Sequence, residues 1–242
     1  MMKFFRLALS LDPKVIGIYD QVQKFVQSPE TREGHPFQSI PLEGKLDPNK
    51  KFPVLLLEKA AKWTDLLEQV PGSGRLLLIS SRFYMLLSQF NLDDYQAFPV
   101  TVRQGEEERA YFLLYFTKNC AAEFVDWEHT EVMHTTDFAA QVIKMGLKFS
   151  SYEEFLARKM ELLHNKENLY VRVLKIAKAA EGTDMFKFVF MPSGFYVSER
   201  LKDAIQKEGL VGIRFTPTEE LGELTPEEKK AKMQEAAAAY NN

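Results

Sequence analysis

The sequence predicts an α+β protein, a mixed, largely antiparallel sheet with a few packed helices. Three patterns carry that expectation. Phe98, Val100 and Val102 alternate with Pro99, Thr101 and Arg103, the period-two signature of a half-buried strand. Tyr111-Phe112-Leu113-Leu114-Tyr115-Phe116 is apolar without a break, as a strand covered on both faces must be. Phe83, Leu86, Leu87 and Phe90 fall at i, i+3, i+4 and i+7, one face of a helix. With 242 residues, 45% hydrophobic and 12% aromatic, the chain has enough apolar side chain to fill such a core, which excludes disorder.

Residues 3–11 and 14–19 are expected as strands, with Asp12-Pro13 as the turn between them. The N-terminal apolar run is broken by Arg6, Asp12 and Lys14, so it opens the fold rather than serving as a signal peptide. Residues 28–53 hold Pro29, Gly34, Pro36, Pro41, Gly44, Pro48 and Pro53 without periodicity and form a long loop. Order resumes at Val54–Leu57, after which Thr64 caps a short helix turning Leu66 and Leu67 inward. Pro71-Gly72-Ser73-Gly74 is a turn, since no Gly-Lys-Ser/Thr ending follows to make a phosphate-binding loop.

Residues 75–79 form a strand, and Ser80 or Ser81 caps the helix after it. The charged turn Gly105-Glu106-Glu107-Glu108 leads into the central strand at 111–116. Ser151-Tyr152-Glu153-Glu154 is a capping box opening a helix with Tyr152, Phe155, Leu156, Met160 and Leu163 inward. Strands are expected at 169–176, 186–191 and 195–197. Ser198 then caps a helix with Leu201, Ala204 and Ile205 inward, and Gly209 stops it before a last strand at 211–215. Thr225-Pro226-Glu227-Glu228 opens a tail helix that ends in an alanine run. One domain is therefore expected over 1–217, with a point of sub-division near 105–135, and a helical tail over 218–242. Ile79-Ser80-Ser81-Arg82-Phe83 through Leu92 aligns without gaps on Val197-Ser198-Glu199-Arg200-Leu201 through Leu210, which suggests two related strand–helix–strand units.

Composition narrows the function classes. Lysine plus arginine total 31 and aspartate plus glutamate 34, so the formal charge is −3 and no global basic field attracts nucleic acid or an anionic membrane. No stretch reaches the roughly 18 apolar residues of a membrane span, and the expected location is the cytoplasm. A single cysteine, Cys120, excludes an internal disulfide and a multi-cysteine zinc site. His129 and His134 are five apart, about 140° around a helix and on opposite faces of a strand, so they do not make the i, i+4 pair of a zinc site. Cys120 with Asp126 and either histidine has no local signature of a nucleophile set. Trp63 and Trp127 sit beside Lys62 and Asp126, as fillers of the core edge or as interface anchors. No catalytic, cofactor or metal residue is assigned.

Three segments carry a resemblance: Tyr111–Phe116 followed by Phe124-Val125-Asp126-Trp127-Glu128-His129-Thr130-Glu131-Val132; Phe195-Tyr196-Val197-Ser198-Glu199-Arg200-Leu201-Lys202-Asp203-Ala204; and Gly209-Leu210-Val211-Gly212-Ile213-Arg214-Phe215. Together they resemble bacterial immunity proteins of polymorphic toxin systems, a family first catalogued as a domain of unknown function. The opening Asp12–Tyr19 is similar to that of members from Bacteroidetes-type bacteria. The likeness extends loosely over 1–217 and is best over 111–132 and 195–215. Thr130 stands where members often have serine and keeps the hydroxyl.

The resemblance implies an immunity-type role: binding a cognate toxin domain and neutralising it by occlusion, with no catalysis and no cofactor. The family brings no catalytic residues. Its motif positions, here Asp126, Trp127, Glu128, Thr130, Ser198 and Arg200, are the candidate motif or interface residues. The loop at 28–53 and the turn at 105–109 are further contact candidates. The alternative is a small-molecule-binding domain or enzyme with an aromatic-lined pocket.

Overall fold

The computed structural model describes residues 2–26, 37, 40–67, 75–136, 142–189 and 193–221. The chain opens with β1 (Phe4–Leu9) and then α1 (Pro13–Ile16), a helical turn in place of the strand expected over 14–19. Asp12 Oδ1 accepts from the Lys14 N–H at 2.8 Å, and Pro13 is pre-set for the first helical position. These local contacts outweigh the apolar run that suggested a strand.

β2 (Val22–Phe25), β3 (Leu55–Leu57), β4 (Leu66–Leu67) and β5 (Leu76–Ser80) follow. β4 corrects the short helix expected after Thr64. Thr64 Oγ1 donates to the Leu66 carbonyl at 2.7 Å, while Leu66 and Leu67 pair with Ile79 and Leu78. Both leucines are buried, and adjacent side chains point to opposite faces only in a strand. α2 (Ser81–Leu87) leads to the long hairpin of β6 (Tyr95–Gln104) and β7 (Glu107–Phe116), turned at Gly105 with φ +61°.

The remaining elements are α3 (Ala121–Phe124), β8 (Glu131–Thr136), β9 (Val142–Leu147), α4 (Tyr152–His164) and β10 (Glu167–Val173). They are followed by β11 (Met185–Phe188), β12 (Gly194–Ser198), α5 (Glu199–Lys207) and β13 (Ile213–Pro217). The expected tail helix and the Pro71–Gly74 turn lie outside the described residues. The strands gather in three mostly antiparallel sheets, an α+β architecture.

The chain divides into two compact units. The first takes Met1–Cys120, Glu181–Val189 and Ser193–Thr216. It holds a six-stranded sheet in the order β2-β3-β6-β7-β5-β4, in which only β3 and β6 pair in parallel, and a four-stranded sheet in the order β11-β12-β1-β13. β7 lies between β6 and β5, the central place that its unbroken apolar run foretold. Leu113 and Tyr115 pack on one side with Leu76 and Leu78, alongside Phe37, Ile40 and Leu46. Leu114 and Phe116 pack on the other with Leu77, Ile79, Phe83, Val197 and Leu201. The described part of the 28–53 loop thus lays three of its apolar side chains into the core.

The second unit is built on Ala121–Ala180 and takes up the chain again from Pro217. Its sheet runs β10-β8-β9, with α4 among its helices. Ser151 Oγ accepts from the Glu154 N–H at 3.2 Å, so the cap forms as expected, while the Glu154 carboxylate accepts from Ser150 N and Oγ at 2.7 Å. The buried face of α4 differs from the expected one. Phe155 and Leu162 are buried, whereas Met160 and Leu163 are 49% and 41% exposed. Lys159 takes the position between them, its ammonium donating to Asn168 Oδ1 at 2.6 Å and the Leu169 carbonyl at 2.9 Å. A lysine stem covers apolar surface well once its head has acceptors.

Candidate functional site

Asp126, Trp127, Glu128 and Thr130 lie in the second unit, on the segment that joins α3 to β8. The Asp126 N–H donates to the Lys175 carbonyl and the Thr130 N–H donates to the Asp126 carbonyl, each at 2.9 Å. The Asp126 carboxylate also accepts from the His129 N–H at 3.2 Å and holds His129 Nδ1 at 2.9 Å. Trp127 is buried. Its indole N–H donates to the Ala121 carbonyl at 3.2 Å, and its ring packs on Phe155 and Tyr152 with centroids 5.3 and 6.0 Å away. Thr130 is buried too, and its hydroxyl accepts the Lys175 N–H at 3.1 Å. A threonine serves as well as a serine for that bond. Glu128 is exposed, and the Asp126 side chain is 37% exposed.

Ser198 and Arg200 lie in the first unit, where the two echoed segments take matching roles. Ser80 Oγ accepts from the Phe83 N–H at 3.1 Å and donates to Asp65 Oδ1 at 2.7 Å. Ser198 Oγ accepts from the Leu201 N–H at 3.2 Å and donates to Asp184 Oδ1 at 2.7 Å. Each serine also gives its backbone N–H to the same aspartate's carbonyl, at 2.8 Å for Asp65 and 2.9 Å for Asp184. Each aspartate then reaches the segment that follows the other copy's helix. Asp65 Oδ2 accepts from the Val211 N–H at 2.8 Å, and Asp184 Oδ2 from the Asn91 N–H at 3.0 Å. The backbone bonds return: Asp65 N–H to the Val211 carbonyl at 2.9 Å, Asp184 N–H to the Asn91 carbonyl at 2.6 Å. The two strand–helix–strand segments, both in the first unit, thus hold each other by reciprocal carboxylates.

The copies differ in one respect. Arg200 forms an ion pair with Asp184, donating from Nε to Oδ1 at 3.1 Å and from its terminal nitrogen to Oδ2. Its guanidinium also lies over the Phe90 ring, 5.1 Å from the centroid, and its side chain is 64% exposed. Burial by itself pushes the Asp184 carboxyl up, but the bonds from Arg200, Ser198 and Asn91 outweigh burial and hold it below the ordinary carboxylate value. Asp65 and Asp184 were not among the candidates. The one local sign of them is that each stands directly before a short buried strand.

Cys120 is buried and its thiol lies 2.8 Å from Asp93 Oδ2. His134 Nε2 meets Glu167 Oε2 at 2.6 Å. Trp63 stacks on Tyr111, with the Arg109 guanidinium 4.5 Å over its ring, and so fills a core edge. Lys187 in β11 is 2% exposed; its ammonium donates to the carbonyls of Leu42 and Phe116 at 3.2 and 3.3 Å. Burial pulls its pKa down to about 8. Among the described residues, no three His, Cys, Asp or Glu gather as a metal ion would require. Nor is any helix there long and apolar enough to cross a membrane.

An Imm11 immunity protein family model matches residues 3–220. The chain belongs to that immunity protein family. No curated protein matches it. Toxin neutralisation is the general role that goes with Imm11 membership, and a toxin the general kind of partner. Of the six candidate positions, this Imm11 protein buries Trp127, Thr130 and Ser198 in its frame. Asp126, Glu128 and Arg200 reach solvent.

Proposed function

We propose that this chain binds one cognate toxin domain and neutralises it by occlusion, in the cytoplasm, with no catalytic step of its own. Family membership over residues 3–220 carries the proposal. The geometry is consistent with it: the Thr130 and Ser198 hydroxyls and the Trp127 indole bond to backbone and stiffen the frame. Occlusion needs only a rigid complementary surface, with about 1,200–2,000 Å² buried in a complex of ordinary size. Asp126 and Glu128 in one unit and Arg200 in the other are the motif side chains available to a partner. The hairpin tip offers a further acidic contact at exposed Glu106, while Glu107 and Glu108 pair with Arg109 and Arg103. Co-expression with the toxin domain encoded beside this chain tests the role. Restored growth and a co-purifying complex are expected. Loss of viability with no complex would refute it.

A further inference from the structure

We propose that the outer edge of β9 receives an extended, acidic segment of the toxin as a fourth strand of the β10-β8-β9 sheet. The proposal builds on the immunity role above and names the chemistry of its partner. β9 is the last strand of that sheet, paired with β8 on one side only among the described residues. A terminal strand presents a row of free N–H and C=O groups, and the ligand that satisfies such a row is another strand. Natural edges are protected by covering, proline, short length, a bulge or a lysine; β9 has only its irregular register and Lys144, which bars a like-charged strand and admits an acidic one. β9 has six residues, no proline, and exposure along Val142 to Gly146, with Ile143 and Met145 at 48% and 49%. Aliphatic side chains on an open edge mark a place for a partner.

Charge selects the partner's character. Lys144 and Lys148 line a groove of about 520 Å³ between β9 and α4, with Phe149 and Leu162 in its wall. Three cations, Lys144, Lys148 and Arg158, share this groove with two carboxylates, Glu154 and Glu161, the latter paired with Arg158 at 2.6 Å, which leaves its lining net cationic. No acidic residue occurs between 142 and 152. A second copy pairing edge to edge would set lysines against lysines, which opposes self-association. A strand with carboxylates at alternate positions meets both lysines and lays its apolar side chains along Ile143 and Met145.

The test uses the full chain and a fluorescein-labelled octapeptide of alternating valine and glutamate, followed by anisotropy. At least tenfold tighter binding than to the valine–lysine counterpart is expected. Lys144→Glu with Lys148→Glu should invert that preference, and Ile143→Thr with Met145→Thr should weaken acidic-peptide binding about tenfold, both with unchanged thermal midpoints. Less than twofold preference between the peptides overturns the proposal. So does a dimer in solution that the threonine variant dissociates, since a second copy would then occupy the edge. In parallel, the glutamate variant should lose growth protection against the co-encoded toxin. Protection retained by that variant overturns the β9 edge while leaving the immunity role standing. Failure of the unaltered chain to protect refutes the immunity role, and the peptide titration still decides the edge.

Discussion

Asp184→Asn isolates the reciprocal carboxylate lock. Asp184 is 1% exposed and accepts from Ser198 Oγ, the Asn91 N–H and Arg200. Asparagine keeps the shape but offers one oxygen and an amide group that donates. If the oxygen stays with Ser198, the amide faces the Asn91 N–H, donor against donor. The loss combines one bond to a charged acceptor, about 1.5–3 kcal/mol, with one buried unsatisfied donor, about 1–3 kcal/mol. Together these predict about 3–5 kcal/mol. With a urea slope of about 2 kcal/mol per molar, the midpoint should fall by about 2 M. Trp63 belongs to the same unit and Trp127 to the other, so fluorescence in a Trp127→Phe background reports on the affected unit.

Asp65→Asn is the internal control, because that copy makes the serine and backbone bonds without the arginine ion pair, and it should cost less. Acid supplies a second check. The folded Asp184 carboxyl sits below its unfolded value, so its contribution is present above about pH 4 and is lost as pH falls through the folded value. The gap between parent and variant should therefore hold from pH 7 to about 4.5 and narrow below. A cost under about 1 kcal/mol, or equal costs for the two aspartates, would refute the lock.

Ser198→Ala should cost about 2 kcal/mol in denaturant melts, not the ~1 kcal/mol of an ordinary cap, because its hydroxyl also donates to a buried carboxylate. Lys187→Met should flatten the pH dependence between 8 and 10. The folded lysine releases its proton near 8 and the unfolded one near 10.5, so over that window the unfolded chain binds more protons and stability climbs with pH in the parent. Gly212→Ala should destabilise by more than about 2 kcal/mol, because φ is +86° and a Cβ would lie 2.5 Å from Thr64 Cβ and 2.8 Å from the Leu66 carbonyl; a neutral melt would contradict that contact. Trp127→Phe should cost about 2–4 kcal/mol by unfolding the second unit earlier, since it loses the indole bond to Ala121 and leaves a cavity where the larger ring packed on Phe155 and Tyr152.

The serine caps at 80, 151 and 198 were legible because a cap is decided by its own side chain and an N–H three residues on. The doubly buried β7 was legible for the same kind of reason, a run of apolar side chains on successive residues. The inward face of α4 was not, because methionine and leucine at 160 and 163 fit the helical period as well as Lys159 does. Only the acceptors at Asn168 and Leu169 make the lysine the better inward residue. β9 was not expected, although Ile143, Met145 and Leu147 alternate with Lys144, Gly146 and Lys148; its register against β8 is irregular and Gly146 carries φ +69°.

By itself, the sequence determined the α+β class, the capped helices, the central hairpin strand and the family likeness in 111–132 and 195–215. These depend on periodicity and on bonds spanning a few residues. The tertiary structure alone decided that Asp65 and Asp184 lock onto Val211 and Asn91, 146 and 93 residues away, and that β9 is the last strand of its sheet among the described residues. Such pairings depend on which backbone groups become neighbours once the core has closed, and no local pattern records that.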